Sequence, residues 1–182
     1  MEYKQSIVST VVTSQESVTL PKTLSDKVVS QLNEALADEY SAHYFYVYAA
    51  NWCENVSYLN AAKFFRGEAA SELTHAELIQ KYLTSWNAVP KLPSIKFDGN
   101  FQNLIDIVNK AYVIEFNLGE KYSKMSADVF NDHLMTFDFL QQFRTIQYES
   151  IVEYSDLLNA AQLIDVSSKL DLLHYEEQYF GD

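Results

Sequence analysis

Glycine and proline are scarce in this chain, four and three among 182 residues. So small a supply of turn formers excludes a β fold with many tight reversals and favours long, uninterrupted helices. Cysteine is nearly absent as well. The single thiol, Cys53, cannot form an internal disulfide, which excludes a disulfide-stapled scaffold and suits a reducing compartment such as the cytoplasm. Basic residues are outnumbered, 13 Lys and Arg against 25 Asp and Glu, leaving a formal net charge of −12. Phosphates would be repelled, so cations rather than nucleic acid are the expected partners. No run approaches the roughly 20 apolar residues of a membrane span, and no membrane partner is expected. What is present is enough hydrophobic sequence, 48% of the chain, to fill the core of one domain.

That hydrophobic sequence recurs at helical spacing in four stripes, each interrupted once near its middle. The first runs Val28, Leu32, Ala35, Glu39, Ala42, Tyr46, Ala49, Cys53, with a carboxylate where an aliphatic side chain would be expected. The second, Ala62, Phe65, Ala69, Glu72, Ala76, Ile79, Leu83, carries Glu72 in the seam and His75 one turn on. Glu115 interrupts the third, Leu104, Val108, Ala111, Glu115, Leu118, Tyr122, Met125. The neutral amide of Gln147 interrupts the fourth, Leu140, Phe143, Gln147, Ser150, Tyr154, Leu157. A lone buried carboxylate is costly unless a cation neutralises it, and none of the stripes contains Lys or Arg. Four interruptions at matching heights point to one polar, metal-binding site inside a helical bundle.

Leu24-Ser25-Asp26 reads as an N-cap, opening a helix to about Cys53 or Glu54. A short break at 55–57 leads to a second helix, about Tyr58 to Trp86, expected to lie antiparallel to the first. The stretch from Asn87 to Asn100, with Pro90, Pro93 and Gly99, is too long for a tight hairpin and reads as a crossover along the bundle. A third helix is expected from about Phe101 to Met125 or beyond and a fourth from about Asp132 to Ala161, jointed near 127–131. A short fifth, about Ser168 to Phe180, is expected to dock through Leu170, Leu173, Tyr175 and Phe180, on the bundle or on other subunits. Residues 1–22 have no helical period and read as an extended arm or, alternatively, a cleaved targeting segment, which would place the protein in an organelle. Residues 23–182 form the all-α domain: a four-helix bundle with one long crossover and a short C-terminal fifth helix.

Carboxylates and an imidazole at the midpoint of such a bundle can hold two adjacent iron or manganese ions. Here the chain resembles the non-haem ferritins over nearly its whole length from Leu24. The likeness is carried by 36-LADEYSAHYFY-46, the pair Trp52-Cys53, 64-FFRGEAASELTHA-76, Glu115 in Val113-Ile-Glu, and 137-FDFLQQF-143 followed by Gln147. The resemblance implies two iron ions per subunit: Glu39, Glu72 and His75 at the first position, and Glu72, Glu115 and Gln147 at the second. It implies Fe(II) and O2 as substrates of a ferroxidase, and a homo-oligomeric shell of 24 subunits around an iron mineral. Tyr46 matches the family's tyrosine beside the ferroxidase centre, as electron donor or as hydrogen-bonded core aromatic. Gln147 is read as a ligand, or as an amide satisfying a core hydrogen bond.

Departures from the family pattern narrow this further. Bacterioferritins carry a second acid-x-x-His motif on the fourth helix, where Gln147-x-x-Ser150 stands here, and a haem-ligating Met where Leu73 stands, so no haem is expected. Ser71 and Ile146 replace acids of the third iron site of many bacterial ferritins, while Glu149 keeps one. Phe137 and Leu140 stand where animal ferritins have acids lining three-fold channels. Glu68 and Glu149 are iron transit points or, more plainly, solvated helix residues, and His43, His133 and His174 are surface or interface residues. Two other functions remain open: an oxidase or peroxide scavenger with a permanent di-iron cofactor, and a non-catalytic structural shell subunit.

Overall fold

The computed structural model describes residues 24–97 and 99–181; the N-terminal arm expected over 1–22 lies outside them. Five helices make up the described residues: α1 (Asp26–Asn55), α2 (Leu59–Ser85), α3 (Leu104–Val129), α4 (Leu134–Ala161) and α5 (Lys169–Phe180). Ser25 caps α1 as its side chain accepts from the Val28 N–H, and Asn103 and Ser168 do the same for α3 and α5. The α3–α4 joint falls at 130–133, slightly later than the sequence suggests. His133 delays it: its Nδ1 accepts from the Thr136 N–H at 3.2 Å, so an imidazole serves as the cap of α4.

With so few glycines, α1 and α2 end through ordinary residues. Ser57 and Asn87 take positive φ, 68° and 58°, and the following N–H groups return to the Cys53 and Leu83 carbonyls at 2.9 Å. That is the Schellman closure usually made with glycine.

Contacts between helices fix the topology. Arg66 on α2 reaches Asn51 and Glu54 near the end of α1, whereas Gln80 reaches Tyr40 farther back, so the two are antiparallel. Gln31 bonds Asp128 and Asp38 bonds Lys121, which makes α1 and α3 antiparallel too. Glu68 meets Tyr154 while Tyr82 meets Thr136, giving α2 and α4 the same relation. Helices α2 and α3 therefore run parallel, and their connection must travel the length of the bundle. A 27-residue helix is about 40 Å long. The 18 residues 86–103 reach about 60 Å when extended, which suffices.

All four stripes face inward: every member except half-buried Ser150 is buried. The fifth helix docks differently from expectation. Leu172, Tyr175, Glu176 and Phe180 are its buried residues, while Leu170 and Leu173 remain 74% and 48% exposed. Glu176 decides the rotation: its carboxylate accepts from the backbone N–H groups of Asn60 and Ala61 at the start of α2, at 2.6 and 2.9 Å. Leu140 is fully buried in the core and lines no surface of the subunit; Phe137 is half-buried beneath the Arg144 guanidinium.

Candidate metal centre

Glu39 and Glu115 are fully buried, Glu72 and Gln147 nearly so, and His75 is 9% exposed. Aliphatic side chains at these places would each stabilise the fold by about 1.5–3 kcal/mol, whereas an uncompensated buried charge costs several. The sequence forgoes that stability near the middle of each of the four helices.

The structure brings Glu39, Glu72 and His75 together, with one donor atom from each lying within 4.8 Å of the others. His75 Nδ1 is 3.2 Å from Glu72 Oε2 and 3.5 Å from Glu39 Oε2. The latter oxygen makes no hydrogen bond although it is buried. An orphaned carboxylate oxygen, a second carboxylate and an imidazole turned to one point are a donor set suited to a divalent first-row cation.

Glu115 and Gln147 are adjacent but stand apart from that trio. With the Gln147 amide turned to suit its neighbours, its nitrogen donates to Glu115 Oε2 at 2.8 Å and to the Glu115 carbonyl at 3.0 Å. Tyr46 donates its phenol to Glu115 Oε1. Both Glu115 oxygens thus accept hydrogen bonds, whereas Glu39 Oε2 accepts none. Tyr46 itself is fully buried and stacked on the rings of Phe65 and Tyr154 at 6.1 and 6.2 Å.

The electrostatics follow from crowding acids in a dry core. Burial raises Glu72 well above the usual carboxylate range, with the His75 imidazole pulling partly against it. Burial also lifts Glu115 to about 7, the Tyr46 phenol opposing. Burial alone would lower His75, but Glu39 and Glu72 outweigh it and hold the imidazolium to about 10. Of the remaining candidates, Glu68 is half-buried, accepts from the Tyr154 phenol at 3.2 Å, and is raised chiefly by burial. Glu149 is exposed, as is His174; His43 is half-buried, its Nδ1 2.7 Å from the Ala69 carbonyl.

A family described as the ferritin-like domain matches residues 29–164, which include nearly all of α1, the whole of α2, α3 and α4, and every residue of the site, but not α5. The chain belongs to the ferritin family. Among curated relatives, a bacterial non-heme ferritin of Campylobacter jejuni is 29% identical over 133 residues, covering 69% of this chain and 77% of its own. One from Escherichia coli is 26% identical over 128 residues, covering 69% and 78%. A humanized archaeal ferritin superposes with a TM-score of 0.80 at 21% identity, covering 87% of this chain and 96% of its own. An open-pore ferritin from Archaeoglobus fulgidus also gives 0.80, at 19% identity. At such identity the solved structures speak for the fold.

Sequence reasoning missed Tyr122, placed in the third stripe as an apolar residue. It is fully buried and donates its phenol to Glu39 Oε1. A signal was available in this ferritin's sequence. Glu39 is followed two turns later by Tyr46, and Glu115 by Tyr122, both at a spacing of seven on one helix face.

Proposed function

We propose that this ferritin stores iron by oxidising it: two Fe(II) ions bind per subunit, each surrenders one electron to O2, and Fe(III) passes on to a mineral held in a homo-oligomeric shell of 24. Glu39, Glu72 and His75 would take the first ion and Glu72, Glu115 and Gln147 the second, with no haem. The observation that carries this reading is the orphaned Glu39 Oε2 facing Glu72 and His75, in stripes free of Lys and Arg. A purely structural role would call for enough basic partners to offset burial, and the His75 imidazole, the basic group beside Glu39 and Glu72, offsets at most one of the three buried acids. Iron is the substrate. The chain's contribution is to hold the two ions side by side, supply compensating negative charge, and exclude bulk water with the Phe65, Phe143 and Tyr154 rings.

The shell is carried over from the ferritin family; Leu59, Met135, Tyr148 and Leu170, each more than 60% exposed, are apolar side chains on the surface that neighbouring subunits would cover. Stopped-flow absorbance after mixing aerobic protein with Fe(II) tests the reading. Glu72→Ala is expected to abolish the fast phase while the shell still elutes at its assembled size. A fast phase unchanged by that substitution overturns the assigned centre, and its absence in the unsubstituted protein favours a structural shell subunit.

A further inference from the structure

Helices α1 and α3 exchange a pair of phenol contacts. Tyr46 on α1 donates to Glu115 on α3, and Tyr122 on α3 donates to Glu39 on α1. The reciprocity follows from geometry. Each tyrosine lies two turns beyond the glutamate on its own helix, and antiparallel packing sets the tyrosine of one helix level with the glutamate of the other.

The consequence differs at the two glutamates. Glu115 accepts at both oxygens, from Tyr46 and from the turned Gln147 amide, whereas Glu39 accepts from Tyr122 at Oε1 and has no hydrogen bond at Oε2. That second oxygen is the one 3.5 Å from His75 Nδ1. The Tyr122 ring is itself fixed, stacked on Phe143 at 4.8 Å and 19° and wholly buried. A rigid phenol therefore chooses which Glu39 oxygen turns toward Glu72 and His75.

We infer that Tyr122 is the positioning residue of the first metal position, holding Glu39 Oε1 so that Glu39 binds its ion through Oε2 alone. Resting on the proposed di-iron reading, this role assigns one phenol to each ion: Tyr122 through Glu39 to the first, Tyr46 through Glu115 to the second. One-oxygen ligation keeps the first ion's coordination number low, leaving room for a further ligand. Orienting hydrogen bonds of this kind typically change metal affinity by about 10–100-fold when removed.

The test titrates the assembled, metal-free protein with Co(II) under anaerobic conditions, following visible ligand-field absorption, which reports coordination number as well as occupancy. Tyr122→Phe keeps the ring and its stack and deletes only the hydroxyl. It is expected to weaken the first-bound Co(II) by about tenfold or more and to change its spectrum, while the second keeps its affinity and spectrum. Tyr46→Phe is expected to do the reverse. A Tyr122→Phe protein whose first Co(II) matches the unsubstituted protein in affinity and spectrum overturns the inference, as does equal weakening of both ions, the mark of general loosening. A crystal structure of the unsubstituted protein loaded with Co(II) decides the question independently of how the variant folds. Glu39 bound through Oε2 with Tyr122 still on Oε1 supports the role; Glu39 bound through both oxygens refutes it. If the unsubstituted protein takes up no Co(II) at Glu39, Glu72 and His75, the di-iron reading falls and this inference with it.

Discussion

Replacing Glu176 by alanine is expected to destabilise the protein more than any other single truncation of a charged side chain on α5. Helix α2 begins without a cap of its own, since the Tyr58 side chain accepts no hydrogen bond from the first turn. Glu176, 3% exposed, supplies it from a helix more than a hundred residues away. One oxygen accepts from the Asn60 and Ala61 N–H groups at 2.6 and 2.9 Å, and the other from Asn60 Nδ2 at 3.4 Å. Its negative charge also lies at the positive end of the α2 dipole. Truncation leaves two backbone donors without an acceptor, that of buried Ala61 and that of half-buried Asn60, at roughly 1–3 kcal/mol each. The expected loss is about 2–5 kcal/mol, since water entering the cavity recovers part of the cost. For a chain of this size that corresponds to a fall in the thermal midpoint of roughly 5–20 °C. Circular dichroism of the metal-free protein, at matched concentration and scan rate, measures it. Glu176→Gln retains an acceptor oxygen and loses the charge, so about half the effect is expected. Midpoints of both variants within about 1 °C of the unsubstituted protein would refute the reasoning, because orphaned donors at that site must cost more.

Three further outcomes are expected. At limiting Fe(II), anomalous diffraction should show the first position filled before the second, because Glu39 Oε2 accepts no hydrogen bond while both Glu115 oxygens do; equal occupancy at every load would reject the asymmetry. Ser150→Glu, on α4 one turn beyond Gln147, should add a charged oxygen ligand, raising second-position occupancy and slowing recovery of the fast phase between repeated small Fe(II) additions; tighter binding with equal or faster recovery would contradict this. Cys53 is fully buried, and burial, followed by the Glu176 charge, pushes its thiol up to about 12. Raising the pH from 7 to 9, values chosen around the ordinary thiol pKa of about 8.5, should therefore not speed iodoacetamide labelling of the folded protein, while the urea-unfolded chain labels faster as its thiolate forms; a matching acceleration in the folded protein would show the thiol to be accessible.

The linear pattern determined the helices, because burial in a bundle imposes a period and the chain keeps it through all four stripes. It also determined that Glu39, Glu72, His75, Glu115 and Gln147 face one interior, since carboxylates in an apolar seam have no packing reason to be there. The crossover was legible from the prolines at 90 and 93 and from its length. Which face of α5 docks was not. Leu170 and Leu173 look like the apolar side by composition, but a twelve-residue helix is held by few contacts, and one buried carboxylate reaching the open end of α2 outweighs two leucines. Nor could the sequence say that Tyr46 serves Glu115 and Tyr122 serves Glu39. The spacing of seven is present in both helices, yet it acquires meaning only when α1 and α3 lie antiparallel at one register. That register is a property of the folded core, where the crossover sets the direction of α3 and side-chain packing sets its height.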